Sequence, residues 1–537
     1  MRHNLSRVMH ALRRRIFADD PVDLVRALAL WRTDPDRAGR AMDRAVARLA
    51  RGRDPAALTD LVLSVLPRFL DRPTLRAVLR LRASHDMAVR RAGHAALAAH
   101  ALHCQDFRRA AGDLEALLSE PDALGPALRD SALVDLAQAR FKLGDIAGAL
   151  ALARRRDTDA IGRVVQEARI LAAEDPSAAC ALLNRHGADE GRAGKVGAAI
   201  ELATCLARRD LDDAESLAGR IKERPGCGLL ARTYLANIAR IRTGGTECLK
   251  NVLAEMGLAV EMHGGAFDTI RLAPTGPVPT AGGPLVSVVM TAFNAEAHVE
   301  TAIRSILSQT WGNLELLVVD DCSTDATGAR IAAIGGDDAR IRPLSTALNG
   351  GTYLAKNLGI AHARGDVVAF CDADDIWTPD HLSAHMALMT ERPDVAMSSS
   401  NWLRIFEDGT IEIPPGGKIV ERCPHSTMMR REVFERLGFF DSVRIGADRE
   451  FFRRVTLEYG ASATPRLARV LTLGRRRGGS LTTSGAGAIG AGATPEIRQI
   501  YRHTWTGWHL GEVAAGRPLW NSGRPEERPY PVPDAMV

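Results

Sequence analysis

The chain is 537 residues long, enough for about two to four domains of ordinary size. It is 46% hydrophobic, which suits sizeable cores, and its net charge of +5, with no basic stripe interleaved with aromatics, does not argue for nucleic acid. Eight scattered cysteines with no Cys-x-x-Cys pair favour reduced thiols in a cytoplasmic protein over a disulfide framework or a zinc site.

No stretch approaches the ~20 consecutive apolar residues of a membrane helix, and the N-terminus lacks the apolar core of a signal peptide. Arg13, Arg14 and Arg15 leave two readings open: a basic amphipathic helix in peripheral contact with an anionic membrane, or an ordinary solvated helix face.

Residues 1 to about 260 are dominated by Ala, Leu, Arg and Asp, with Gly and Pro falling mainly between apolar-periodic segments, and predict an all-α region. A weak repeat runs through it: Asp106-Phe-Arg-Arg-Ala110, Asp145-Ile-Ala-Gly-Ala149, Asp175-Pro-Ser-Ala-Ala179 and Asp210-Leu-Asp-Asp-Ala214. The aspartates are 39, 30 and 35 residues apart, each placed to cap a helix, with an alanine small enough for close helix contact. The spacing resembles tetratricopeptide-type helical hairpins without their usual Trp, Tyr and Pro, so an irregular α-solenoid or bundle is expected. Such a region is also a candidate surface for a protein partner.

Residues 261–284, rich in Gly-Gly, Pro-Thr-Gly-Pro and Gly-Gly-Pro, read as a linker. From Leu285 to about 483 β-branched runs alternate with helical patterns: strands at 285–291, 314–319 and 341–344, a helix near 354–363, then a strand from Asp366. This order predicts a doubly wound α/β sheet. Residues 484–537 read as a Gly/Ala-rich linker, a short helix at 497–510 and a loosely ordered Pro-rich tail.

The most informative stretch is Asp366-Val-Val-Ala-Phe-Cys-Asp-Ala-Asp-Asp375, an apolar run ending in three carboxylates. A strand buried on both faces would put Asp372, Asp374 and Asp375 at its carboxyl end, where open α/β sheets bind ligands. Clustered carboxylates need a counter-charge, and Mg²⁺ commonly binds one or two of them together with substrate phosphates. The alternative is a helix start capped by Asp374 or Asp375 before Ile376 and Trp377.

Four segments in order carry a resemblance: Val288-Val-Met-Thr-Ala-Phe-Asn294, Ala302-Ile-Arg-Ser-Ile-Leu-Ser-Gln-Thr310, Val318-Val-Asp-Asp-Cys-Ser-Thr-Asp325 and Ala369-Phe-Cys-Asp-Ala-Asp-Asp375. Over roughly residues 285–480 the chain resembles the family 2 glycosyltransferases of GT-A fold, which implies a doubly wound mixed sheet behind the helical region. The resemblance implies a nucleotide-sugar site built from Thr291, Phe293, Asn294, Asp321, Lys356, Asp372 and Asp374. It makes Asp374 the ligand of Mg²⁺ or Mn²⁺ and Asp372 a ribose or metal-water contact. Lys356 stands in Asn349-Gly-Gly-Thr-Tyr-Leu-Ala-Lys-Asn-Leu-Gly359, where family members usually have Arg, and cannot make Arg's bidentate fork. Cys322 stands where Gly is usual.

Downstream, Asp448 matches the family's catalytic base, although Ala447 replaces the usual Glu; Asp441 and Glu450 are competing carboxylates, and a plain helix cap is the structural alternative. His425 and Asp441 fall on the acceptor side, and Arg475 and Arg476 in a late basic loop that could close over a diphosphate; a structural histidine and a solvated charge run are the rival readings.

The implied activity is an inverting, metal-dependent transfer from a nucleotide-diphospho-sugar, UDP-linked by preference, to a hydroxyl of a glycan or lipid-linked acceptor in polysaccharide synthesis, at the cytoplasmic side. A helical scaffold whose transferase domain binds nucleotide without turnover is the second reading, kept open by Ala447 and Lys356. A phosphatase using Asp372-Ala-Asp374 would leave Asp321 and the Thr291 strand end unexplained.

Overall fold

A computed structural model describes residues 71–537, apart from short segments at 84–86, 120–123, 125, 156–159, 187–190, 208–209, 224–226, 263, 265, 276–281, 415–416, 479–486 and 489–491. The basic segment at Arg13–Arg15 and the rest of the first 70 residues lie outside the described residues.

The first described region is helical throughout: α1 (Arg72–Arg82), α2 (Met87–Cys104), α3 (Phe107–Leu118), α4 (Pro126–Lys142), α5 (Ile146–Arg154), α6 (Ala160–Leu171), α7 (Pro176–Arg185), α8 (Gly191–Ala207), α9 (Leu211–Ile221), α10 (Gly228–Thr243) and α11 (Glu247–Glu255). Successive helices pack as hairpins, and the weak repeat marks their turns. Asp106, Asp145, Asp175 and Asp210 cap α3, α5, α7 and α9, each accepting the backbone N–H three residues on, at 3.1, 2.8, 2.9 and 3.1 Å. Each cap satisfies an N–H that the first helical turn leaves unbonded. The alanine four residues after each aspartate is fully buried, which lets the paired helices approach closely.

Residues expected to be a linker instead begin with a two-stranded antiparallel sheet, β1 (Ala259–Met262) and β2 (Ile270–Ala273). Met262, Phe267 and Ile270 are buried there, and these apolar anchors give the Gly/Pro-rich stretch a core to sit on.

The α/β part follows as β3 (Val286–Ala292), α12 (Val299–Leu307), β4 (Leu314–Asp320), α13 (Thr327–Asp337), β5 (Ile341–Ser345), α14 (Thr352–His362), β6 (Val367–Asp372), β7 (Ile376–Trp377), α15 (His381–Glu391), β8 (Met397–Phe406), β9 (Val420–Arg430), α16 (Glu432–Leu437), α17 (Ala447–Tyr459) and β10 (Arg466–Arg476). All seven residues of β3 are buried, as expected of a strand covered on both faces. The eight-stranded mixed sheet has the order β5-β4-β3-β6-β9-β8-β10-β7. The first four strands are parallel, and β9 joins β6 antiparallel. The chain winds one way from β3 to β5 and then returns to place β6 on the other side of β3, which opens a crevice at their carboxyl ends.

The C-terminal segment departs from expectation. Helix α18 (Glu496–Ala515) is 20 residues long and buries Trp505 completely. The Pro-rich tail after it is packed: Asn521 bridges Gly438, the Arg444 N–H donates to the Met536 carbonyl at 2.7 Å, and Tyr530 and Met536 are buried. These contacts come from single apolar anchors in irregular backbone, which carry no periodicity to read.

The helical array does not hang from a hinge. Asn237 on α10 pairs through its side-chain amide with both backbone groups of Ile411, at 2.8 and 2.9 Å. At the other end, α1, α2 and α3 pack on α18, and residues of α1, α2, α17 and α18 share one core. No described helix is long and apolar enough to cross a membrane.

Candidate active site

The crevice at the sheet's carboxyl edge is a cleft of about 550 Å³ lined by residues from β3, the loop after β4, α14, β6, β8, β9, α17, β10 and α18. Strand pairing sets its floor, because Thr291 of β3 lies opposite Asp372 of β6 and Ala292 opposite Asp320 of β4. Of the residues singled out in the sequence, Thr291, Phe293, Asp321, Lys356, Asp372, Asp374, His425, Asp448 and Arg475 line this cleft; Asn294, Asp441 and Arg476 do not.

At the β3 end, the Thr291 hydroxyl bonds that of Thr352 at 2.9 Å. Phe293 is 45% exposed, unusual for a phenylalanine and suited to stacking on a flat ligand. Asn294 turns aside: its Oδ1 accepts from the Thr324 N–H at 2.9 Å and its own N–H donates to Ser323, joining two loops. Asp321 is buried and accepts from Thr346 Oγ1 and from the N–H groups of Gly350 and Gly351, at 2.9, 3.1 and 2.7 Å. It thereby fixes the Gly-Gly turn ahead of α14. Cys322, where Gly is usual, sits at φ 62°, in the left-handed region.

The three carboxylates after β6 fall into different surroundings. Asp372 accepts from Lys356 Nζ at 3.1 Å. Although its burial works the other way, the charges of Lys356 and His425 hold its carboxyl down at about 2. Asp375 is buried, accepting from His425 Nε2 at 2.7 Å and from the Arg475 N–H at 3.0 Å. Asp374 is pushed up to about 6 by burial and by the charges of Asp375 and Asp372, with Arg477 Nε 3.1 Å from its Oδ2. Among the described residues no set of three or more side chains forms a ready-made metal cage. The donor set does fit a hard cation held by one or two carboxylate oxygens and completed by a ligand, since an all-oxygen cluster with one carboxyl destabilised as an anion gains from added positive charge.

Two expectations need correction. His425, expected beside the acceptor, bridges Asp372 and Asp375 at 3.3 and 2.7 Å. Burial alone would lower it, but Cys423, Asp372 and Asp375 keep the imidazole protonated well above its usual range. Of the late arginines, Arg475 is held by Asp268 and stacks over Phe267 at 4.2 Å, and Arg476 pairs with Glu412 at 3.0 Å outside the cleft. Arg477 is the one that pairs with the Asp374 carboxylate, while Arg475 reaches only its backbone carbonyl, and residues 479–486 of that loop lie outside the described residues.

The three downstream carboxylates separate by environment. Asp441 is buried against Arg528 and Tyr501, at 2.6 and 3.0 Å, which removes it from the acceptor side. Glu450 is fully buried between Arg454 and His509, at 2.7 and 2.9 Å. Asp448 alone of the three faces the cleft, accepting from the Tyr353 hydroxyl at 3.0 Å, and it caps no helix.

Sequence reasoning missed Tyr353, Arg449, Arg477, Arg498 and Arg502 as cleft residues. The signals available were adjacency, Arg449 next to Asp448 and Arg477 next to Arg476, and the one-turn spacing of Arg498 and Arg502.

Comparison with known proteins matches residues 287–438 to the family model described as Glycosyl transferase family 2. The chain is 32% identical over 188 residues to the succinoglycan biosynthesis protein ExoO of Rhizobium meliloti, covering 31% of this chain and 53% of that protein. It is 39% identical over 105 residues to the UDP-Glc:alpha-D-GlcNAc-diphosphoundecaprenol beta-1,3-glucosyltransferase WfgD of Escherichia coli, covering 20% and 41%. S. aureus TarS 1-349, solved in complex with UDP-GlcNAc, aligns with a TM-score of 0.32 and 19% identity over 37% of this chain and 61% of that one. The chain spans about half the length of the curated relatives it matches. With its strand-end motifs on a mixed GT-A sheet, the chain carries a family 2 glycosyltransferase domain at residues 287–438.

Proposed function

We propose that this protein is an inverting glycosyltransferase that moves a sugar from a UDP-linked donor to a hydroxyl of a glycan or lipid-linked acceptor. One observation carries the reading: residues from the ends of β3, β4 and β6, with Lys356 and Asp448, meet in the same cleft. The name of the Escherichia coli relative, which acts from UDP-Glc on a diphosphoundecaprenol-linked sugar, supports the same donor and acceptor classes here.

In this reading Phe293 stacks on the base, and Thr291 and Asp372 meet the ribose side. Asp374 would hold Mg²⁺ or Mn²⁺, with Asp372 as the second carboxylate on that side of the cleft. When bound, such an ion supplies positive charge to the departing diphosphate. Lys356 and Arg477 add their own charge to that side. Asp448 takes the proton of the acceptor hydroxyl as its oxygen bonds to the anomeric carbon, and the bond from that carbon to the diphosphate oxygen breaks on the opposite face. The nucleotide leaves as UDP, and the configuration inverts.

The test is a thermal-shift screen of nucleotide sugars with Mn²⁺, followed by turnover assays with a panel of glycan and lipid-linked acceptors. Selective stabilisation by one donor together with release of its nucleotide is expected. Binding without turnover across the panel would move the assignment to the helical-scaffold reading; no stabilisation by any donor would overturn both.

A further inference from the structure

Three arginines on the Asp448 side of the cleft have no carboxylate partner among the described residues. Arg449 follows Asp448 on α17, while Arg498 and Arg502 stand one turn apart on α18, outside the stretch matched to the family. The other cations lining the cleft are engaged: Lys356 with Asp372, Arg477 with Asp374, Arg475 with Asp268, Arg404 with Glu412 and Arg444 with Asn349. Among the described residues, Arg449 and Arg502 make no hydrogen bond or ion pair, and Arg498 donates from Nε to the Gly487 carbonyl at 2.6 Å. Arg498 and Arg502 are nevertheless buried, at 8% exposure each.

The charges do not balance within the protein. Asp448 is the one cleft carboxylate whose charge reaches Arg498 and Arg502; Asp106, the cap of α3, also reaches Arg502 but is already bonded to Arg109 and His503. Burial and the neighbouring charges of Arg449 and Arg498 push Arg502 down to about 9, a cost that a bound anion would remove. A buried, unpaired guanidinium aimed into a cleft is a site for an oxyanion, which its planar fork binds bidentately.

Resting on the donor assignment above, we infer that the acceptor carries an oxyanion, a carboxylate or a phosphate, seated by Arg449, Arg498 and Arg502 beside the hydroxyl that Asp448 deprotonates. The separation supports this role: the diphosphate belongs with the Asp374 group, whereas these arginines surround the residue that must touch the acceptor. The anion would fix the acceptor's orientation, so that one hydroxyl meets Asp448.

The experiment is calorimetric titration of the full chain, saturated with UDP and Mn²⁺, with methyl glucoside, glucuronate and glucose 6-phosphate. One or both anions should bind at least about tenfold tighter than the neutral glucoside. Glucuronate alone would mark a uronate-type acceptor, and glucose 6-phosphate alone a phosphorylated one. Arg449→Gln and Arg502→Gln should each weaken the anion about tenfold while UDP affinity stays within about twofold. Arg449 is exposed, so its variant tests the site even if Arg502→Gln fails to fold. Equal binding of all three probes, no binding of either anion, or anion affinity unchanged in the variants overturns the inference. Absence of UDP binding sinks the donor assignment instead, and the same titrations without nucleotide still report on the arginines.

Discussion

The Tyr353 hydroxyl on α14 donates to Asp448 Oδ1 on α17 at 3.0 Å, and accepts the Gly446 N–H at 3.2 Å. This fixes the carboxylate's direction from an element 95 residues away. Asp448→Asn is expected to lower transfer by about 10²–10⁴-fold with UDP affinity unchanged, because it removes only proton acceptance. Tyr353→Phe, which loses one orienting hydrogen bond, is expected to cost about three- to tenfold. Initial rates of UDP release check both, and an Asp448→Asn enzyme within threefold of wild type would clear Asp448 of the role.

Chelation tests the carboxylate cluster. EDTA should abolish transfer, and added Mn²⁺ or Mg²⁺ should restore it. Asp374→Ala should lose about 10²-fold or more in turnover and weaken the Mn²⁺ dependence of UDP binding, since the remaining carboxylates are held by Lys356 and His425. Full activity under EDTA together with an active Asp374→Ala variant would remove metal from the proposal.

Cys322 adopts φ 62° without the freedom of glycine, a strain of roughly 1 kcal/mol. Cys322→Gly should relieve it and raise the melting temperature by about a degree or two, offset in part by greater freedom of the unfolded chain. A melting temperature lower than wild type in differential scanning calorimetry would contradict the strain argument.

Acid should weaken the fold through buried groups. His381 is stacked on Trp377 at 3.8 Å, and burial lowers it from 6.5 to about 4. Its neutral form is favoured in the fold, so the associated stability is complete above pH 6.5 and erodes as pH falls toward 4, by up to about 3 kcal/mol. Glu450 has the same sign. Burial would raise it, but Arg454 and His509 hold it below the usual range, so its contribution is present above about pH 4.3 and is lost on further acidification. Melting curves from pH 7.5 to 4.5 should show a falling midpoint whose slope between pH 6.5 and 5 is reduced in His381→Gln. An identical slope in that variant would exclude His381.

The buried Glu450–Arg454 pair gives a stability prediction independent of activity. Glu450→Ala leaves a fully buried guanidinium without its carboxylate and should destabilise the fold by about 3–5 kcal/mol. Denaturant unfolding measures this, and a loss below about 1 kcal/mol would show that the Leu437 and Phe439 carbonyls, which also accept from Arg454, suffice.

Local chemistry made much of this legible. The strand ends at Thr291, Asp321 and Asp372 follow from apolar runs that stop at polar residues, and the four capping aspartates follow from Asp placed ahead of a buried Ala. What each polar residue faces was not legible. His425 and Arg475 carry the same residue types whether they meet an acceptor, a diphosphate or another side chain, and only packing against Asp375 and Asp268 decides. The tail was misjudged for a related reason, since Arg528 and Met536 act through long-range contacts, Arg528 with Asp441 and Ser442 and Met536 with Arg444.

The sequence by itself determined the alternation of strands and helices, the helical array with its turns, and the ordered carboxylate motifs, because each depends on residues within a few positions of one another. Tertiary structure decided that Asp448 rather than Asp441 or Glu450 faces the cleft, and that Tyr353 orients it. It also decided that α18 brings Arg498 and Arg502 to the cleft wall. Those outcomes depend on which charges burial leaves paired, a balance set among residues far apart in the chain.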